Sequence, residues 1–229
     1  MKSPNWLLLI GLVLMVGAHM NIGIDVLAWF SLVPFLLFLQ RTSGWRSRLW
    51  FSLVYVLAWN LAVVKITPGG IPLIFAPMFG VPIALFHLPA FLLWGRWRDR
   101  PGAMLLFPAL LATLEWIQYT FTPLGSWGIA AYTQVDNLLV VQSVSLFGLA
   151  GLSFLIYWVN AALAYALASP TFAYRRLLAP GLALLLVLVF GALRYDVGKA
   201  KGVATVRVAA VGTESTVGAG PLPSDELRQ

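Results

Sequence analysis

The chain has no cysteine and only two histidines, His19 and His87, among its 229 residues. The missing thiols exclude disulfide bonds, thiolate metal sites and a cysteine nucleophile from these residues. Charged residues are also scarce, at 10% of the sequence, whereas a soluble globular domain carries roughly 25%. Because 60% of the residues are hydrophobic, the composition is typical of a membrane protein and not of a water-soluble domain.

The few charges are unevenly distributed along the chain. Residues 1–193 hold 14 of the 23 charged residues, and residues 194–229 hold the other nine. This division predicts a transmembrane helical domain over residues 1–193 and a soluble-like tail over residues 194–229.

The net charge of +7 comes largely from short basic clusters between apolar runs. These clusters are Arg41, Arg46 and Arg48; Arg96, Arg98 and Arg100; and Arg175 and Arg176. Basic residues that flank long apolar segments are typical of membrane topology, so we predict no nucleic-acid partner.

Seven segments are long and apolar enough for a helix that crosses a bilayer, which needs about 20 residues. We therefore expect an all-α polytopic membrane bundle of about seven transmembrane helices, followed by a short β-forming tail. The segments are residues 5–20, 24–40, 49–66, 72–94, 103–121, 143–168 and 177–193.

The first segment could instead be a secretory signal peptide. No small-x-small cleavage motif follows it, and the apolar pattern resumes at residues 26–39, so an anchored helical hairpin fits better.

With the N-terminus in the cytoplasm, the inside loops hold Lys2 and all eight clustered arginines, nine basic residues in total. Seven crossings then place the residues after Arg194 outside the cytoplasm.

Glu115 is the clearest charged residue inside a predicted span, and such residues are costly and point to a function or a buried partner. Gln118 and Tyr119 follow one turn later on the same helical face. This polar stripe could be the wall of a lipid or substrate cavity, or it could form structural hydrogen bonds to a neighbouring helix. The sequence leaves both alternatives open.

Other polar and conformationally unusual residues have simpler interpretations. Asp25 and Lys65 lie at predicted helix ends, where they can reach water or headgroups. His87 is expected to be a hydrogen-bonded packing residue, because no second histidine or cysteine stands at metal-ligand spacing. We therefore predict no metal and no cofactor.

The fourth segment should be kinked or broken by its prolines, which are Pro72, Pro77, Pro82 and Pro89.

Residues 122–137 are too apolar for a solvated loop and too rich in glycine and proline for a spanning helix. They are expected to form an interfacial or re-entrant segment, with Trp127 and Tyr132 at the headgroup level. Together with Gln134, these two aromatic residues complete the set of lipid-binding or cavity candidates: Glu115, Gln118, Tyr119, Trp127, Tyr132 and Gln134.

The order of these features resembles apolipoprotein N-acyltransferase, a bacterial membrane enzyme of lipoprotein maturation. The resemblance rests on Glu115 and Trp116, on the GSWG turn at residues 125–128, on YTQ at 132–134 and on LFGLAGLSFL at 146–155. The valine-rich residues 203–211 predict a β-strand. That strand is similar to the first strand of the nitrilase-like domain that the family carries after its seventh helix.

The resemblance implies ping-pong acyl transfer. A cysteine thiolate takes an acyl chain from a phospholipid and passes it to the N-terminal amine of an apolipoprotein, with Glu as general base and Lys supporting the oxyanion. This chain has no cysteine and only 18 residues after Val211, and no catalytic role is assigned to Glu214. We expect a truncated or split protein of the bacterial inner membrane that binds phospholipid but cannot run the reaction alone.

Two other functions remain open at this point. A noncatalytic membrane protein could use the Glu115 region to bind lipid or to serve as an assembly partner. A small transporter is disfavoured, because no inverted repeat is visible and Glu115 is the one convincing intramembrane ionisable residue. Apolipoprotein is an expected partner only where a hydrolase-like domain is supplied.

Overall fold

The computed structural model describes residues 4–20, 23–66, 73–100, 102–169 and 173–198. Within these ranges the regular secondary structure is helical. The predicted strand at residues 203–211 and nearly all of the predicted tail lie outside the described residues.

Eight α-helices follow one another along the described chain. They are α1 (Asn5–Ala18), α2 (Val33–Arg41), α3 (Trp45–Val63), α4 (Ala76–Trp97), α5 (Ala103–Phe121), α6 (Leu138–Val141), α7 (Val144–Ala168) and α8 (Arg175–Gly198). Short 3-10 helices occupy Asp25–Trp29, Val64–Ile66, Leu73–Phe75 and Ala130–Gln134.

Four helices in the described part of the chain are long and apolar enough to cross a membrane. They are α4, α5, α7 and the Arg175–Tyr195 part of α8. The part of the chain that the structure describes is therefore all-helical and has the apolar helices of a membrane protein, as the composition predicts. α1 is apolar but has only 14 residues, and α2 has nine.

The second predicted segment is not one continuous helix. It divides into the 3-10 helix Asp25–Trp29, a turn and α2, in which Pro34 occupies the first turn. Proline suits that position because its missing N–H would have no partner in the first turn. Residues 33–39 of α2 are all buried, so this short helix lies inside the bundle, where it contacts α1, α4 and α7.

The fourth predicted segment is not broken within the described residues. α4 runs without interruption from Ala76 to Trp97, with Pro77 in its first turn and Pro82 and Pro89 in its interior. Gly80 allows close packing here, since a Cβ at this position would lie 2.8 Å from the Asn60 Cα of α3. Pro72 lies outside the described residues.

The sixth predicted segment corresponds to α7, which contains a break. Gly148 has φ +65° and ψ −174°, a non-helical conformation that glycine adopts readily and other residues rarely do. The four residues before it therefore form a separate short turn, and the long part of α7 begins after Gly148.

The core between the helices is aromatic. The Phe51 and Tyr55 rings of α3 stack with centroids 5.6 Å apart, and both contact Phe91 of α4 and Phe35 of α2.

By contrast, α8 packs on α7 and α6 at the edge of the bundle. The large apolar side chains that α8 exposes are Leu178, Leu182, Leu185, Leu186, Val189 and Leu193. An exposed apolar face of this length is expected where a helix meets lipid.

Candidate functional site

Glu115 lies in the middle of a buried polar cluster that joins four helices. Its Oε1 accepts hydrogen bonds from the Ala130 backbone N–H at 2.9 Å and from the Tyr157 hydroxyl of α7. The His87 Nε2 of α4 lies 3.8 Å from the same oxygen, and the His87 Nδ1 is 2.9 Å from the Tyr55 hydroxyl of α3. Glu115 is 0% exposed, so its carboxyl group is buried in the bundle, as its position in an apolar span predicts.

The cluster holds the beginning of the 3-10 helix Ala130–Gln134. The first N–H groups of a helix have no partner within the helix and need acceptors from elsewhere. Glu115 accepts from Ala130, and the Ser153 hydroxyl accepts from the Ala131 N–H at 3.2 Å. Two side chains from α5 and α7 thus cap a short helix that belongs to neither of them.

Gln118 holds the turn that precedes this short helix. Its Nε2 donates to the carbonyl oxygens of Gly125 at 3.2 Å and Trp127 at 2.7 Å. Gly128 closes the turn with φ +80°, and a Cβ there would lie 3.0 Å from Ile83 and Trp59. Glycine is therefore required at this position both by the backbone conformation and by the close approach of α3 and α4.

Gln134 fastens the other end of the short helix to the segment before α2. Its Oε1 accepts from the Trp29 indole N–H at 3.1 Å, and its Nε2 donates to the Asp25 carbonyl at 2.8 Å and to the Thr133 hydroxyl at 3.1 Å. Like Glu115 and Gln118, Gln134 is 0% exposed. All three buried side chains therefore make hydrogen bonds to backbone outside the α-helices.

Asn160 of α7 is a further buried anchor, which the sequence reasoning missed. Its Oδ1 accepts from the Leu32 N–H, and its Nδ2 donates to the carbonyls of Ala28 and Ile156, each at 2.9 Å. The signal that could have identified it is an amide in the middle of an apolar span, where polar side chains need a partner. Ser153, Tyr157 and Tyr55 were missed as well.

The aromatic candidates occupy a different environment. Trp127 and Tyr132 are 43% and 48% exposed, and they line a groove of about 430 Å³ together with His19 and Asp136. The Tyr132 hydroxyl is 2.9 Å from the Ser126 hydroxyl, and the Trp127 ring lies 5.1 Å from that of Phe79. The groove thus has aromatic walls and several polar groups.

The predicted polar stripe therefore divides into two parts. Glu115 and Gln118 are buried and hydrogen-bonded, whereas Tyr119 is only partly buried and does not line the groove among the described residues. The hydrogen bonds have the form expected from the structural alternative. A lipid-binding role for the region stays a prediction. In the described part of the chain, no three histidine, aspartate or glutamate side chains converge as metal ligands.

The fold and this site define a class of protein: a helical membrane protein in which buried polar side chains hold an irregular segment beside a groove. The family model described as apolipoprotein N-acyltransferase N-terminal domain matches residues 11–162. The chain belongs to this family. The resemblance seen in the sequence is confirmed, and the match also covers the helices before Glu115 from residue 11 onward.

A curated relative agrees with this assignment. The chain is 26% identical over 167 residues to apolipoprotein N-acyltransferase 1 of Treponema denticola, an alignment that covers 68% of this chain. It covers 29% of the relative, so the chain spans less than a third of that protein's length. No solved structure shows a significant match to the chain.

Proposed function

We propose that these residues form the membrane part of an apolipoprotein N-acyltransferase-like protein of the bacterial inner membrane. The family match supports this assignment. The reaction implied for the intact family is transfer of an acyl chain from a phospholipid to a lipoprotein. Phospholipid is therefore the proposed ligand of this chain, and an apolipoprotein is the proposed acceptor once a hydrolase-like domain is supplied.

The proposed topology has seven crossings with a cytoplasmic N-terminus. α3 has 19 residues, so at 1.5 Å per residue it rises about 28 Å, close to the thickness of the hydrocarbon core. The shorter α1 and α2 would complete crossings with the residues that flank them. Nine basic residues fall on the proposed cytoplasmic side, which supports this orientation.

The observation that carries the lipid-binding proposal is the way residues 122–137 are held. Hydrogen bonds with the side chains of Glu115, Gln118 and Gln134 hold the backbone of this segment in place. Trp127 and Tyr132, each about half exposed, form part of the wall of the groove. Rings with an apolar body and a polar edge suit the boundary between acyl chains and headgroups. We therefore assign positioning roles to the three buried side chains and lipid contact to the two aromatic ones.

Acyl transfer by the family's implied mechanism needs a thiolate nucleophile. The 229 residues contain no cysteine. We therefore propose that they bind and present phospholipid, and that the nucleophile is contributed by residues other than these.

Binding of a phosphatidylethanolamine with a fluorescent headgroup tests the lipid site. The purified 229-residue chain in detergent would be titrated and compared with Trp127→Ala and Tyr132→Ala. Trp116→Ala is the matched control, because Trp116 is 44% exposed and does not line the groove. Each groove variant should bind the probe several-fold more weakly, whereas the control should bind it normally. Equal binding by all four proteins would contradict the proposed groove.

A further inference from the structure

A second cavity lies at the other end of the bundle. It has a volume of about 730 Å³ and is bounded by the ends of α2, α4, α5, α7 and α8. The side chains that matter for its chemistry are Gln40, Arg98, Asp99, Arg100, Tyr165 and Arg176. α5 separates this end from residues 122–137, and its 19 residues span about 28 Å. The cavity is therefore distinct from the groove at Trp127.

The cavity carries a net positive charge. Arg98 pairs with Asp99 at 3.6 Å, and Asp99 itself is 91% exposed. Arg100 and Arg176 have no carboxylate within 4.0 Å in the parts of the chain that the structure describes. Arg100 and Arg176 thus line the cavity with no carboxylate partner among the described residues. Guanidinium groups bind phosphate oxygens through pairs of parallel hydrogen bonds, which makes a phosphate-bearing ligand the best chemical match.

Hydrogen bonds and ring contacts hold the wall of the cavity near these arginines. The Arg98 guanidinium donates to the Leu39 carbonyl of α2, and the Tyr165 hydroxyl donates to the Arg98 carbonyl. The Tyr165 ring packs on Trp94 with centroids 4.8 Å apart, and the Arg176 guanidinium lies over the same tyrosine ring at 5.0 Å. A guanidinium that lies on a ring face still presents the N–H groups at its own edge to a ligand. Because the ring already restricts the Arg176 side chain, that side chain loses less conformational entropy when a ligand binds.

Gln40 supplies a second, independent feature. Its Oε1 is buried and has no hydrogen-bond partner among the described residues. Buried polar atoms are normally paired, so an unpaired acceptor beside a cavity indicates a missing donor. Rotation of the Gln40 side chain toward the cavity would let a hydroxyl group on the ligand satisfy it.

We propose that this cavity binds the headgroup of an anionic phospholipid. Arg100 and Arg176 take the phosphate, and Gln40 accepts a hydrogen bond from a headgroup hydroxyl such as that of phosphatidylglycerol. Basic pockets between the ends of membrane helices are suited to such headgroups. Membrane topology alone does not account for the arrangement, because Arg175 contributes the same charge to topology and does not line the cavity.

The test compares three soluble probes on the purified 229-residue chain by calorimetric titration: dihexanoyl phosphatidylglycerol, dihexanoyl phosphatidylcholine and inorganic phosphate. We expect phosphatidylglycerol to bind more tightly than the other two. The double variant Arg100→Gln/Arg176→Gln should bind it about tenfold or more weakly, since two charge-assisted contacts are lost. The control Arg46→Gln/Arg175→Gln removes the same charge outside the cavity and should leave affinity unchanged. Matching thermal unfolding curves exclude misfolding as the cause.

A further variant separates the two parts of the site. Gln40→Leu should weaken phosphatidylglycerol binding and leave phosphate binding unchanged. Equal losses in the cavity and control variants, or equal affinity for phosphatidylglycerol and phosphatidylcholine, would overturn the proposal. Phosphate binding as tight as that of phosphatidylglycerol would keep the anion site and overturn its assignment to a lipid headgroup.

Discussion

The Glu115 carboxylate accepts a hydrogen bond at 2.9 Å from the backbone N–H of Ala130, 15 residues further along the chain. This bond joins the middle of α5 to the irregular segment that follows it. Backbone that is neither helix nor sheet is tolerated at membrane depth only where its polar groups are satisfied by the protein or by water. The Glu115 side chain therefore satisfies a backbone donor in the same segment that carries Trp127 and Tyr132.

Replacing Glu115 tests this relationship. Glu115→Leu removes the acceptor and leaves the Ala130 N–H and the Tyr157 hydroxyl unpaired, at a cost of about 1–3 kcal/mol for each buried group. Glu115→Gln keeps an acceptor oxygen and should cost less. Thermal unfolding in detergent measures the difference, with Trp116→Leu as the exposed control at the next position. Equal stability of Glu115→Leu and the control would refute the anchoring role.

Asn160→Ala should release the segment before α2. The Leu32 N–H and the Ala28 carbonyl both lose their partners, so the amide hydrogen of Leu32 should exchange with solvent faster. Hydrogen exchange with mass spectrometry measures the exchange rate of the amide hydrogens in a peptide that covers residues 28–32. Ser169→Ala is the control, because its hydroxyl donates to the Tyr165 carbonyl one turn earlier, at the other end of α7 from Asn160's partners. Unchanged exchange in Asn160→Ala would show that another group holds the turn.

Two glycines of the turn offer a matched comparison. Gly125 and Gly128 both have positive φ, but a Cβ at Gly125 would meet open space and one at Gly128 would press on Ile83 and Trp59. Alanine at either position pays a backbone strain of about 1–2 kcal/mol. Gly128→Ala should therefore lower the melting temperature more than Gly125→Ala. Equal shifts in melting temperature would mean that Ile83 and Trp59 can move to accommodate a Cβ at position 128 without loss of stability.

The proposed topology predicts the behaviour of reporter fusions. A reporter that works only outside the cytoplasm should be active when fused after Gly70, Asp136 or Lys201. It should be silent after Gly44, Arg98 or Tyr174. Activity of the Arg98 fusion would contradict the seven-crossing arrangement, which places Arg98 and the cavity that it lines on the cytoplasmic side.

The isolated chain should not transfer acyl groups. Incubation with phospholipid and a diacylated lipopeptide is expected to give no triacylated product, because no thiol is available to carry the acyl chain. The assay would be read by mass spectrometry, with a complete family member as the positive control. Product above background would require a nucleophile of another kind.

The positions of the long helices could be predicted because a helix that spans a bilayer needs an apolar run of matching length in the sequence. The break before α2 could not, since it depends on Asn160, which contacts Leu32 from 128 positions away in the sequence. The burial of Glu115 followed from its span. Its partners Ala130 and Tyr157 did not, because which faces of α5 and α7 meet is decided by packing that periodicity does not encode.

Photo-crosslinking with a phosphatidylethanolamine that carries a reactive group near its headgroup is the most direct test of lipid binding at Trp127 and Tyr132. The purified chain would be labelled in phosphatidylcholine nanodiscs, and the labelled peptides would be mapped by mass spectrometry with and without excess unlabelled phosphatidylethanolamine. If the groove binds lipid, residues 122–137 should be labelled around Trp127 and Tyr132, and excess unlabelled lipid should compete with this labelling. The variant Trp127→Ala/Tyr132→Ala should lose it. Labelling confined to the exposed face of α8, with none competed in residues 122–137, would contradict lipid binding in the groove.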